Sequence, residues 1–157
     1  MLYWDKIIRL NYFIIILIAF SLKLITNFAF IVLDVPSQYT ANGTVNLLET
    51  EVGLPFMLFL IIILFPILET LIFQFLVIEI VFLLRIRLKM KFIVAIMLSA
   101  LLFAFFHSYS CIYFTFSMLS GVIYAGMYLI GKYKNESAFL YPVSLHVFWN
   151  LFAHLAD

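Results

Sequence analysis

Charged residues are scarce in this chain: nine Lys and Arg and eight Asp and Glu stand among 157 residues, or 11%. Soluble domains carry about 25% charged residues, so an ordinary water-soluble globule is excluded. With 67% apolar residues, a disordered chain is excluded as well. The formal net charge is +1, which leaves no basic surface for nucleic acid, and that class of partner is set aside. Cysteine is nearly absent too. Cys111 stands alone, so there is no internal disulfide and no multi-cysteine zinc site, and any metal chemistry falls to His and carboxylate.

Hydrophobic residues fill the space that charge leaves. A spanning helix needs roughly 20 apolar residues, so the length allows about four to six spans and no extra-membrane catalytic domain. The first run, about Leu10 to Leu33, follows Lys6 and Arg9 and resembles a signal sequence. Its length, the lack of a small-x-small cleavage site and the spans downstream instead predict a retained anchor helix over about residues 7–33. Residues Asp34 to Gly53 carry Pro36, Asn42, Gly43 and three acids without Lys or Arg, and read as a polar loop. The second run, Leu54 to Leu84, would measure about 46 Å as a helix against a hydrocarbon core of about 30 Å. It is either one tilted, kinked helix or two short ones. The loop before it is acidic, and the loop after it carries Arg85, Arg87, Lys89 and Lys91, so its ends belong on opposite membrane faces and one crossing is predicted.

Further runs cover about Phe92 to His107, Ile112 to Gly131 and Ala138 to Leu155. Five spans put Lys6/Arg9, Arg85 to Lys91 and Lys132/Lys134 on one side, which predicts an N-inside, C-outside topology. Ser117, Gly121 and Ala125 form a small-residue stripe that lets a neighbouring helix approach. There is no sequence repeat. The expected fold is all-α: a polytopic membrane helical bundle of about five spans, forming one membrane domain over residues 1–157.

An ionisable side chain within hydrocarbon costs about 2.5 to 3.5 kcal/mol even on the permissive insertion scale, so each one asks for a reason. The set is Lys23, Glu69, Glu79, His107, His146 and His154, with Thr70, Gln74 and Asn150 as uncharged polar residues nearby. Glu69 follows Pro66 by three residues, and a proline that frees a backbone carbonyl bends a helix and lines cavities. A carboxyl there suits a general base, or, in the plainer reading, a protonated Glu joining two helices. His146 and Asn150 lie four apart on one helix face. They offer two donors for an oxyanion, or an inter-helix hydrogen bond. His107 closes the aromatic run Phe103-Ala104-Phe105-Phe106-His107. His154 is expected at the membrane interface, and Lys23 and Glu79 are expected to snorkel or to pair with each other.

A Pro-flanked Glu, then Phe-x-x-x-His, then His-x-x-x-Asn, in that order on separate helices, resembles the CPBP family, the CAAX-protease and bacteriocin-processing membrane proteins also called Abi. The resemblance covers roughly residues 54–155. It implies an intramembrane endopeptidase in the multi-pass cytoplasmic membrane of a bacterium, acting on a peptide or membrane-protein substrate within the lipid bilayer. Glu69 with His107 would activate a water, and His146 and Asn150 would steady the oxyanion. Glu69, His107 and His146 could also supply three ligands and an open position to a divalent metal such as zinc. The family pattern is Glu-Glu-x-x-x-Arg where this chain has Glu69-Thr70-x-x-x-Gln74. Losing one charge of that pair would strand a buried ion at about 3 to 5 kcal/mol, whereas losing both leaves a neutral pair. The alternative reading is a non-catalytic immunity or membrane-scaffolding protein of the same family.

Overall fold

The computed structural model describes residues 10–32, 53–108 and 110–156. Five helices follow one another: α1, Tyr12–Val32; α2, Leu54–Leu83; α3, Leu88–Phe106; α4, Cys111–Tyr133; and α5, Leu140–Ala156. No strand occurs among the described residues. The acidic loop expected before α2 lies outside them, apart from Gly53. By length and composition α2, α3 and α4 can each cross a membrane, and Tyr12–Thr26 of α1 is a shorter apolar helix. The chain is an all-α membrane bundle. Large apolar side chains such as Phe13, Leu83 and Phe106 stay exposed on its outside, as expected of helices that are apolar all round and face lipid.

α2 runs as one continuous helix of 30 residues, in keeping with the single crossing expected of it. Two stretches of π-helix, Leu60–Leu64 and Thr70–Leu76, absorb its irregularity. In the first, the Phe65 amide donates to Leu60 O, five residues back. In that register the amide of Pro66 would have served Ile61 O, but proline has none. The predicted kink is therefore a change of hydrogen-bond register that leaves one carbonyl free.

α4 is the central helix and packs against α3, α5, α1 and the second π stretch of α2. The small-residue stripe explains its closeness to α3. A Cβ added at Gly121 would stand 2.7 Å from the Ala100 Cα, a distance that carbon atoms do not tolerate. Ser117, Gly121 and Ala125 are all buried. α4 starts on Ser110, whose Oγ accepts from the Tyr113 amide at 3.0 Å, an N-cap. It ends on Asn135 at φ 53°, where the Glu136 amide donates to Gly131 O and the Asn135 amide to Lys132 O. This is the Schellman pattern with Asn in the left-handed position. The turn drives α5 back against α4 so closely that a Cβ on Gly131 would meet Ala138 Cα at 2.7 Å.

The basic residues gather at one end of the bundle. Lys134 Nζ donates to Leu10 O at 2.7 Å, and Lys91 Nζ donates to Phe82 O at 2.7 Å. Lys132 Nζ binds both oxygens of Glu79 at 2.7 and 2.8 Å, and Tyr128 Oη donates to Glu79 at 2.6 Å. The pairing alternative for Lys23 and Glu79 is thus corrected: Glu79 lies near the basic end and takes its cation from Lys132 in the last turn of α4. Glu136 lies in the turn outside the spans at the same end. Its carboxyl is held below the usual Glu value by the Tyr141 hydroxyl and by Lys134 beside it.

Candidate active site

Three polar side chains from three helices converge away from the basic end. Glu69 stands on α2 between the two π stretches, 14 residues before Leu83, so it lies about 21 Å along the helix from that end. His107 caps the C-terminus of α3, and His146 lies on the second turn of α5. His107 Nε2 is 3.6 Å from Glu69 Oε1, and His146 Nε2 is 3.5 Å from Glu69 Oε2. One carboxylate is therefore flanked by two imidazoles, each facing a different oxygen. The Glu69 side chain keeps a quarter of its surface exposed and that of His146 about 6%, so the carboxylate is reachable and the second imidazole is not.

The two imidazoles are oriented by different means. His107 Nδ1 lies 2.8 Å from Phe103 O. A carbonyl only accepts, so Nδ1 carries the hydrogen, and Nε2 toward Glu69 is either a bare acceptor or the donor of an imidazolium. His146 is held by stacking. Its ring lies 4.5 Å from that of Tyr124 at 25°, with Phe103 edge-on at 5.9 Å. Its Nδ1 is buried without a hydrogen-bond partner, which leaves Nε2 as the nitrogen that carries the hydrogen toward Glu69.

Asn150 stands one turn beyond His146 on the same face of α5. Its Nδ2 donates to Ile61 O at 2.9 Å, the carbonyl that Pro66 cannot serve. One amide hydrogen is therefore committed to holding α5 on α2, because an unpaired carbonyl in hydrocarbon costs more than a loosely held one in water. Thr70 and Gln74 lie fully buried one turn apart on the second π stretch, and neither side chain finds a hydrogen-bond partner. His154 is exposed on the last turn of α5, as expected near an interface.

The family model described as type II CAAX prenyl endopeptidase Rce1-like matches residues 51–152, about two thirds of the chain. The chain belongs to the Rce1-like family. Its fold is thus that of a CAAX-type intramembrane protease, and it is an integral membrane protein of a protease family. No curated protein and no solved structure matches it. The Rce1-like segment contains α2 to α4, α5 up to residue 152 and all three site residues; α1 precedes it.

A divalent ion would take Glu69, His107 and His146 as donors. Among the described residues no three His, Cys, Asp or Glu side chains are grouped to hold a metal. Each imidazole addresses its own carboxylate oxygen, and His146 Nδ1 lacks the acceptor that ordinarily orients a metal-bound imidazole. One neighbour of the site, Tyr124, escaped the sequence; the sequence shows Phe103 only as part of Phe-x-x-x-His and Lys23 only as a charge in a span, neither with a role beside His146. The signal available was a polar face on α4, where Ser117, Ser120 and Tyr124 recur at helical spacing and would have suggested something polar opposite.

Proposed function

We propose that this protein is an intramembrane endopeptidase in which Glu69 activates a water for attack on a peptide carbonyl. The observation that carries the reading is the placement of the Glu69 carboxylate between the imidazoles of His107 and His146, at 3.6 and 3.5 Å. Separations slightly beyond hydrogen-bond length are ordinary before substrate tightens a site. Water loses a proton to Glu69, and its oxygen bonds to the carbonyl carbon while the carbonyl electrons move onto oxygen. His146 Nε2–H donates to that oxyanion from a buried position, where its strength is not diluted by solvent. The tetrahedral species then breaks its C–N bond. The proton held between Glu69 and His107 passes to the departing amine, giving one acid and one amine from one peptide and one water.

In this reading Asn150 is a positioning residue. By binding Ile61 O it holds the face of α5 that carries His146 against the part of α2 that carries Glu69. The membrane of residence is read as the bacterial cytoplasmic membrane with the N-terminus inside, and residues 1–157 as one membrane domain.

Protein reconstituted in liposomes should cleave at least one member of a panel that includes a prenylated CAAX peptide and an unprenylated transmembrane peptide. Glu69→Ala should lower the rate by about 10² to 10⁴, read as product by mass spectrometry. Equal rates for the two proteins would remove Glu69 from the chemistry. A second reading, a non-catalytic immunity or scaffolding member, draws on the unpartnered neutral pair Thr70 and Gln74 where the family pattern carries charge. It expects Glu69→Gln to keep full biological function.

A further inference from the structure

Lys23 is the one described lysine within the bundle that is almost wholly buried, with 2% of its surface exposed. It lies in the middle of α1, too far from either end to snorkel. Its Nζ donates to Tyr124 Oη at 2.7 Å and to Ser120 Oγ at 3.2 Å. The ammonium also stands 4.5 Å from the centroids of the Tyr124 and Trp149 rings and 5.6 Å from that of Phe116. Two hydroxyls and three aromatic faces thus receive one charge.

The other contact of Tyr124 explains what this arrangement serves. The same ring that Lys23 grips lies 4.5 Å from the His146 ring, near parallel, and Tyr124 has no exposed surface at all. His146 has no hydrogen bond at Nδ1 to fix its plane, so the stack is what aims Nε2 at Glu69. A continuous line of contacts therefore runs from Lys23 on α1 through Tyr124 on α4 and His146 on α5 to Glu69 on α2. We propose that Lys23 is a positioning residue for His146, anchoring the Tyr124 ring on which that imidazole is stacked. The lysine precedes the Rce1-like segment, which begins at residue 51, so this device belongs to the first helix and not to the matched core.

The proposal rests on the hydrolase reading only for its kinetic arm, and a spectroscopic arm stands without it. The full chain, labelled with ¹⁵N at the histidine rings and held in bicelles at one fixed pH, is compared with Lys23→Met, Lys23→Arg and the surface control Lys89→Met. The His146 signals are assigned by their loss in His146→Asn. Lys23→Met should move the His146 ring resonances and leave those of His154 in place, while Lys23→Arg and Lys89→Met keep the original positions. In liposomes Lys23→Met should lower kcat about tenfold or more with KM little changed, as a misaimed group does; Lys23→Arg should restore it. A folded Lys23→Met protein with unmoved His146 resonances and undiminished kcat overturns the proposal. If the resonances move but no protein cleaves, the unmutated one included, the hydrolase reading falls and the positioning role stands. If Lys23→Met does not fold, Tyr124→Phe decides: it keeps the ring and removes the anchored hydroxyl, and unmoved His146 resonances there overturn the proposal equally.

Discussion

At the scale of single residues, the bundle gathers some polar groups against one another and commits others to backbone. Glu69, His107 and His146 face one another, whereas Asn150 faces backbone. Asn150→Ala removes the side-chain donor from the carbonyl that Pro66 leaves free. It should cost about 0.6 to 1.7 kcal/mol, the range for single hydrogen bonds between membrane helices, measured as resistance to unfolding in SDS. Cleavage should fall by more than that stability loss accounts for, because His146 shares a helix face with the lost contact; Asn150→Gln, which keeps a donor, should recover part of both. The acid and the imidazoles were legible in the sequence because hydrocarbon makes such residues expensive, and their order on three runs is specific. The partner of Asn150 was not legible, since it depends on α2 slipping into a π register, which no side-chain pattern reports. Lys23 was recognised as a charge needing a reason, but the reason lies across 97 and 101 residues of chain at Ser120 and Tyr124.

At the scale of elements, hydropathy located every helix that is described, and errors cluster at the ends. α3 begins at Leu88, ahead of the expected start at Phe92, because Lys89 and Lys91 enter the helix instead of staying in the loop; Lys91 reaches back to Phe82 O and satisfies the end of α2. Apolarity alone undercounts such turns, for a lysine stem is long enough to be helical while its charge is elsewhere. The stripe on α4 was legible and does what small residues do. Gly121→Val should therefore be among the most damaging substitutions distant from the site. Overpacking typically costs about 1 to 3 kcal/mol, and here the added carbon meets backbone at Ala100 instead of a side chain that could turn aside. A thermal melt of detergent-solubilised protein should show the loss, and Gly126→Ala, where nothing lies within 4 Å, should melt as the unmutated protein does. Similar melting of the two variants would contradict the close α3–α4 approach.

At the scale of the whole molecule, the lysines that alternate along the sequence come together at one end, through bonds that join Leu10 to Lys134, Phe82 to Lys91 and Glu79 to Lys132. The site lies toward the other end, and so does the exposed thiol of Cys111 at the start of α4. This arrangement makes orientation measurable with the native chain. If the basic end is cytoplasmic, a membrane-impermeant maleimide added outside intact cells should label Cys111 without permeabilisation; labelling only after lysis would reverse the assigned direction. That the basic segments around Lys91 and Lys132 share one end of the bundle was readable because charge asymmetry is a property of loops, which sequence displays directly. The convergence of the three motifs was readable only as a requirement, since nothing along the chain states how far each helix is rotated about its own axis.

That rotation is set in part by the winding of α2. A π stretch accommodates one more residue per turn of hydrogen bonding than the α-helix around it, with its partners five apart instead of four. If Leu60–Leu64 wound as ordinary α-helix with all its residues kept, everything beyond it would swing by about 100° relative to everything before. Either the lower half stays docked and Asn150 loses its acceptor, or the upper half stays docked and Glu69 turns off the axis between the imidazoles. The winding of this helix is thus a dimension of the site, fixed as firmly as any of the side chains in it.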